Sequence, residues 1–189
     1  MLIIASNNKH KIYEIKKILG EKFEEIVSMR EAGIEHETVE DGTTFMENAL
    51  KKAREMAQIS GCAALADDSG ICAHALDDAP GIFSARFAGK HGDDEANNML
   101  LMKKLEDKAD RGAHYTCAMA LAFPNGKEVT AEGYMYGDIT KNPRGTAGFG
   151  YDPLFVPTGE IRTVAEMTDE EKNAISHRAK ALVALLEKL

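Results

Sequence analysis

Apolar positions along this chain recur with two periods, and each period marks a kind of element. Leu2 to Ser6 opens with an apolar run, the pattern of a short buried strand, and predicts a first strand at the centre of a sheet. Beyond the polar hinge Asn7-Asn8, Ile12, Ile15, Ile18 and Leu19 repeat at helical spacing, and Gly20 closes that helix. Glu25 to Ser28 predicts a weak second strand, and residues 29–43 an acidic loop. Phe45, Ala49, Ala53 and Met56 form the apolar stripe of a helix from about Thr44 to Ile59. Cys62 to Ala66 predicts a strand of small residues that runs into a turn, Asp67-Asp68-Ser69-Gly70. Residues 71–92 read as irregular, with turns at Pro80-Gly81 and Gly89, before a third helix over roughly Asp93 to Leu105.

The pattern then changes. Tyr115 to Phe123 and Lys127 to Tyr136 flank Pro124-Asn125-Gly126, and Asn-Gly between two strand-like runs predicts a hairpin. Residues 142–153 are too rich in Gly and Pro for regular structure. Thr168 with Glu171 fits a capping box, and Ile175, Ala179, Leu182, Val183, Leu186 and Leu189 predict the apolar face of a last helix, with Ser176 capping a new segment. Helices alternating with strands, followed by an antiparallel hairpin, predict an α/β fold: a central mixed β-sheet flanked by helices, in a single domain over residues 1–189.

Charge narrows the function classes. The chain has 31 acidic residues against 23 Lys and Arg, a formal charge of −8. A coating of nucleic acid polymer or a polybasic hold on a membrane surface needs the opposite balance. A small anionic substrate stays possible, because it needs only a local cation cluster or a bridging metal. Cys62, Cys72 and Cys117 are far apart with no C-x-x-C, which fits free thiols in a reducing cytoplasm. The N-terminal apolar run is too short for a signal peptide, so a cytoplasmic protein is expected.

Candidate chemistry concentrates in a few places. Ser6, Asn7, Asn8, Lys9, His10 and Lys11 join a buried strand to a helix start, where unpaired N–H groups and the helix dipole favour an anion. Ser176-His177-Arg178 opens the last helix with Lys172 just before it. Cations in a first turn oppose the dipole. Two such starts in an acidic chain point to an anionic ligand, unless the lysines simply face water. Asp67 and Asp68 offer a carboxylate for a metal or for proton abstraction, and an extended chain turns only one of them to a given face. The alternative there is a plain polar turn. Glu35 and Glu37 read as solvated, whereas Glu40 precedes Gly42 and can lean toward the aspartates. In Gly148-Phe149-Gly150-Tyr151-Asp152-Pro153, two glycines around one ring suit a flat ligand, or an aromatic plug under a loop.

Taken together, these segments resemble the inosine triphosphate pyrophosphatase family. The resemblance is carried by Ser6-x-Asn8-x-x-Lys11, Thr44-Phe45-x-Glu47-Asn48-Ala49, Asp67-Asp68-Ser69-Gly70, Ala79-Pro80-Gly81-Ile82-Phe83-Ser84-Ala85-Arg86, Gly148 to Pro153, and Ser176-His177-Arg178. It implies hydrolysis of deaminated purine nucleoside triphosphates (XTP, ITP, dITP) to the monophosphate and pyrophosphate. It also implies two lobes with the active-site cleft between them, a homodimer, and Mg2+ or Mn2+ as cofactor. By the same resemblance, the Ser6 to Lys11 loop and Lys52 hold the triphosphate. Glu40, Asp68 and the neighbouring Asp67 are the metal carboxylates, and Asp68 is the base for the attacking water. Ser69 touches substrate, Phe149, Gly150, Tyr151 and Asp152 pack on the base, and Lys172, His177 and Arg178 read its polar edge.

One stretch departs from the family pattern. Cys-Ala-His-Ala-Leu-Asp-Asp at residues 72–78 stands where Glu-Val-Asp-Ala-Leu-Gly-Gly is common, so His74 replaces an acid and Asp77 and Asp78 replace glycines. Two other functions stay open from sequence: a pyrophosphatase for modified pyrimidine or methylated nucleotides, and a non-catalytic nucleotide-binding regulator.

Overall fold

The computed structural model describes residues 1–20 and 22–189. Strands β1 (Leu2–Ile4), β2 (Ile26–Ser28), β3 (Ala63–Ala73), β4 (Gly112–Ala122), β5 (Glu128–Ile139) and β6 (Phe155–Pro157) form a six-stranded sheet in the order β2-β1-β3-β4-β5-β6. β1 is parallel to β2 and β3, and β6 is antiparallel to β5, so the sheet is mixed as the pattern predicts. β1 lies one strand in from the edge rather than at the centre. Its three residues are all buried, which is why the run reads as apolar throughout. The helices are α1 (Lys9–Leu19), α2 (Phe45–Ser60), α3 (Asp94–Lys104), α4 (Asp169–Ile175) and α5 (His177–Leu186).

The chain forms two compact units. Met1–Asp68, Cys117–Gly133 and Arg178–Leu189 make the first, and Ser69–Thr116 and Tyr134–His177 the second. In the first unit the period of two along each strand sorts side chains to two faces. Leu2, Ile4, Leu65, Cys117, Met119 and Leu121 pack with Ile15 and Leu19 of α1 and with Ala181, Leu182 and Leu185 of α5. Their alternates Ile3, Ala5, Ala64, Ala66, Ala118, Ala120 and Ala122 face Ala49, Ala53, Met56 and Ala57 of α2. Alanine on both sides of that second contact lets backbone come near backbone, so α2 brings short polar side chains within reach of the sheet. In the second unit Ile71, Leu101, Tyr115, Met135, Leu154 and Phe155 belong to a separate core.

Helix ends follow their local chemistry. The Asn8 side chain caps α1, accepting from the N–H groups of His10 and Lys11. Thr44 and Glu47 form a capping box at α2, and Thr168 and Glu171 form the predicted one at α4. Ser176 is extended (ψ 149°) and separates α4 from α5, so the predicted apolar face of the last helix is split. Ile175 packs in the second unit's core, while Val183 and Leu189 are about half exposed.

The largest correction concerns the predicted turn after Ala66. The strand does not end there. β3 continues through Asp67, Asp68, Ser69 and Gly70 to Ala73. Gly70 is needed for close approach rather than for turning: a Cβ on it would overlap the Ser84 hydroxyl and the Gly81 carbonyl. Ser84 Oγ accepts from the Ile71 N–H at 3.0 Å and donates to the Gly81 carbonyl at 2.6 Å. Residues 81–86 thus form a 3-10 helix laid on the strand, not an irregular loop. Among the described residues, no helix is long and apolar enough to cross a membrane.

Candidate active site

Because β3 stays extended through Asp67 and Asp68, the two carboxylates leave the strand on opposite faces. Asp67 follows the parity of Leu65 toward α1 and α5, and Asp68 follows Ala66 toward α2. Each aspartate has its own nearest partners, although the charge of Lys52 also reaches Asp67 and that of Lys11 also reaches Asp68.

Asp67 is fully buried among cations. Lys11 Nζ lies 3.1 Å from its Oδ2, and Arg178 Nη2 lies 3.2 Å from the same atom. Arg178 is 1% exposed and also donates through Nη1 to Glu14. Burial alone would push the Asp67 carboxyl up, but Lys11 and Arg178 outweigh it and hold it well below the usual carboxylate range. The neighbouring Cys117 thiol is pushed up to about 12, by burial first and then by Asp67, so it is an inert core residue.

This arrangement corrects the dipole argument. The anion that balances Lys11 and Arg178 at their helix starts is the chain's own Asp67, joined by Glu14 at Arg178. Those two cations are therefore explained without an external ligand. Arg178 is buried in the first unit. Asp67 leaves β3 on the face opposite Asp68, yet its charge also reaches the Lys52 ammonium on which Glu40 and Asp68 converge. Of the remaining loop, Asn7, Asn8, Lys9 and His10 are exposed, and Ser6 Oγ accepts from the Asn8 N–H at 3.2 Å.

Asp68 sits in a different field. Asn48 Nδ2 donates to its Oδ2 at 3.0 Å. Lys52 Nζ is 2.5 Å from Glu40 Oε1 and 3.9 Å from Asp68 Oδ1. Asn48 is aligned in turn, because its Oδ1 accepts from the Gly42 N–H at 2.9 Å. A Cβ at Gly42 would stand 2.6 Å from that oxygen, so only glycine admits the contact. Burial raises the Asp68 carboxyl above its ordinary pKa, Lys52 opposes this, and the nearby Glu40 charge adds to the rise. Burial works against the Lys52 ammonium, but Asp68 and Glu40 outweigh it and keep the ammonium charged.

Glu40 and Asp68 thus converge on one cation, the Lys52 ammonium. Their donor atoms are hard carboxylate oxygens, the set that suits a Mg2+-like ion. The residues present fit such a metal on both counts.

The second unit holds an aromatic and charged cluster. Lys172 Nζ donates to Asp152 Oδ2 at 2.8 Å and lies 4.7 Å from the centre of the Phe149 ring. The Phe149 N–H donates to the same Asp152 oxygen at 3.0 Å, and Tyr115 Oη donates to Asp152 Oδ1 at 3.4 Å. Gly148 has φ +75°, and a Cβ on it would overlap the Asp152 carboxylate. Gly150 is held at both ends: its N–H donates to Asp94 at 2.7 Å and its carbonyl accepts from Asn98 at 2.8 Å. Tyr151 Oη donates to the Ser84 carbonyl at 2.8 Å. Tyr115 stacks on His177 with centroids 4.6 Å apart and planes within 8°. Phe149 is thereby fixed, half-buried, with a cation on its ring. Ser69 is half-buried on β3.

Glu14, Asn48 and Tyr115 belong to these clusters although sequence reasoning did not select them. The signal for the first two was present: Glu14 and Asn48 are polar residues on the buried stripes of α1 and α2, beside Ile15 and Ala49. A polar group on an apolar stripe needs a buried partner. Tyr115 carried no such mark, since a strand aromatic is ordinarily core.

A family model described as the Ham1 family matches residues 2–188. A protein from Streptomyces coelicolor named dITP/XTP pyrophosphatase is 50% identical over 199 residues, covering 98% of this chain and 94% of that one. One of the same name from Geobacter sulfurreducens is 46% identical, covering 100% and 96%. The structure of a HAM1 protein from Coxiella burnetii superposes with a TM-score of 0.89 at 40% identity, covering 100% and 98% of the two chains. That of the Staphylococcus aureus Ham1 protein gives 0.88 at 36% identity, covering 99% and 98%.

Proposed function

The chain belongs to the Ham1 family, and from that premise we propose that it hydrolyses deaminated purine nucleoside triphosphates to the monophosphate and pyrophosphate. The observation that carries this reading is the buried Asp68, aligned by Asn48, raised in pKa and converging with Glu40 on one cation. The names of relatives about half identical to this chain supply the substrate class.

Asp68 takes the proton of the attacking water. Its raised pKa makes it a stronger base than an ordinary aspartate. The water oxygen forms a bond to the α-phosphorus, the bond to the bridging oxygen breaks, and pyrophosphate leaves with its electron pair. Lys52, kept charged by its carboxylate neighbours, offsets negative charge developing on the phosphates. Glu40 and Asp68 would hold a divalent ion, of which Mg2+ is the expected species; when bound it polarises phosphoryl oxygens as a Lewis acid. Lys11 and the Ser6 to Lys11 loop are assigned to the phosphates, and Asp67 and Arg178 to positioning Lys11.

The base is assigned to the second unit. Phe149 offers a stacking face, and Lys172 and His177 supply polar contacts, with Asp152 and Tyr115 holding them in place. Donors set for a purine 6-oxo group would be left unpaired by a 6-amino group, a mismatch that can discriminate by about 10⁴-fold. The test is pyrophosphate release from ITP, XTP, dITP, ATP, GTP and dUTP, with and without Mg2+. Release from the deaminated purines in Mg2+ is expected, and no release from any of the three would overturn the assignment.

A further inference from the structure

The stretch at 72–78 that departs from the family pattern builds a second cluster of metal-ligating side chains, in the second unit. His74 opens a 3-10 turn directly after β3, His114 stands on β4, and Asp78 closes the turn that follows His74. His74 Nε2 lies 3.1 Å from His114 Nδ1, and one ligand atom from each of the three residues lies within 4.8 Å of the others. We propose that His74, Asp78 and His114 form a site for a transition-metal dication of the Zn2+ or Co2+ class, bound through two imidazole nitrogens and one carboxylate.

The nitrogen separation suits this assignment. Zn–N bonds of about 2.0–2.1 Å place two ligand nitrogens about 2.9 Å apart at a right angle and about 3.35 Å apart at a tetrahedral one. The observed 3.1 Å falls between these values. A single N–H···N hydrogen bond also spans that distance, but it gives the carboxylate no role. Asp78 is held in the left-handed region at φ +61°, with its N–H donated to the Ala73 carbonyl at 3.1 Å, which keeps its side chain beside the two rings. The rings are also directed. A Cβ on Gly112 would come 2.8 Å from His74 Nδ1, so the His74 ring lies over that glycine with Nε2 turned to His114. The Tyr134 and Tyr136 rings stand 6.1 and 5.5 Å from the His114 ring and confine it.

Two imidazoles and a carboxylate prefer Zn2+, Co2+ or Ni2+ to Mg2+, which selects all-oxygen sites such as that of Glu40 and Asp68. With three protein ligands and two members exposed, the site leaves room for a solvent ligand. A bound ion would tie the 74–78 turn to β4.

The test is Zn2+ binding by equilibrium dialysis of the full chain in excess Mg2+, which occupies the carboxylate site. One Zn2+ per chain with a micromolar or tighter dissociation constant is expected. His74→Ala, His114→Ala and Asp78→Asn should each weaken it at least tenfold, while His36→Ala and His91→Ala should not. At a hundredfold excess over the dissociation constant, Zn2+ should raise the wild-type melting temperature by about 5–10 °C. Imidazole NMR resonances of the unmutated chain give a second readout, with shifts on Zn2+ addition confined to His74 and His114. No Zn2+ retained at 100-micromolar free ion (about a hundredfold above a micromolar dissociation constant), or shifts centred on other histidines, would overturn the proposal. Neither result bears on pyrophosphate release, which is measured separately.

Discussion

Asp67 and Asp68 are neighbours in sequence, and replacing each by asparagine should have very different consequences for stability. Asp67 is fully buried and holds Lys11 and Arg178 at 3.1 and 3.2 Å. At an effective dielectric of about 20, each contact is worth about 5 kcal/mol of Coulomb attraction. Much of that is offset by desolvation of the ions. Asp67→Asn, however, leaves the cations buried with the offset removed, and breaking a buried pair this way costs about 3–5 kcal/mol. Asp68→Asn removes a carboxylate whose ionised form is already disfavoured by burial, and it preserves a partner for Asn48. It should leave stability within about 1 kcal/mol of wild type, on either side. The chain has no tryptophan, so urea unfolding is best followed by far-UV circular dichroism.

The pH dependence carries the same sign test. The Asp67 pKa is lower folded than unfolded, so its contribution is fully present above about pH 4 and is lost as pH falls below that toward the folded value. Asp67→Asn should flatten that acid dependence. The Asp68 pKa is higher folded than unfolded, so its ionised form opposes folding at neutral pH, and Asp68→Asn removes that opposition. The reasoning is refuted if Asp67→Asn lies within 1 kcal/mol of wild type, a surface-substitution effect of the size of ~0.5 kcal/mol, or if both variants lose the same amount.

Asp68→Asn should lower kcat by about 10²–10⁴-fold with little change in KM, the range for loss of a general base; steady-state pyrophosphate release measures it, and near-normal turnover would remove Asp68 from that role. The wild-type kcat/KM profile should show an acid limb above the ordinary aspartate value of about 3.9, because burial raises Asp68; a limb at or below that value would contradict the assignment. Asn48→Ala deletes the donor to Asp68 and the acceptor for Gly42, and should reduce kcat by roughly tenfold to a hundredfold, the effect of about 1.4–2.7 kcal/mol, with the fold intact by circular dichroism. Phe149→Ala removes the proposed stacking face and should raise KM by about tenfold, consistent with base–aromatic stacking of about 1–3 kcal/mol, with a smaller change in kcat.

Much of the architecture was legible from periodicity. The stripes of α1 and α2, the Asn-Gly hairpin between β4 and β5, and the capping box at Thr168 all appear where the pattern places them. β6 did not, because three residues after a Gly-rich loop carry too short a pattern to separate from that loop. The end of β3 was misread because Asp-Asp-Ser-Gly has the composition of a turn. Packing against Ser84 and the ion pairs on both faces hold it extended instead.

The sequence by itself determined the residue types, their spacing along each element and the family, because those are properties of the chain read in one dimension. Only the tertiary structure decided who meets whom. It assigned Asp67 to Lys11 and Arg178, and Asp68 to Asn48 and Lys52, and it gave Glu14 and Tyr115 their partners. The physical reason is that a charge's meaning lies in the field around it. The residues that make that field here are 16 to 164 positions apart in sequence, brought together by burial and by the two-sided alternation of an extended strand.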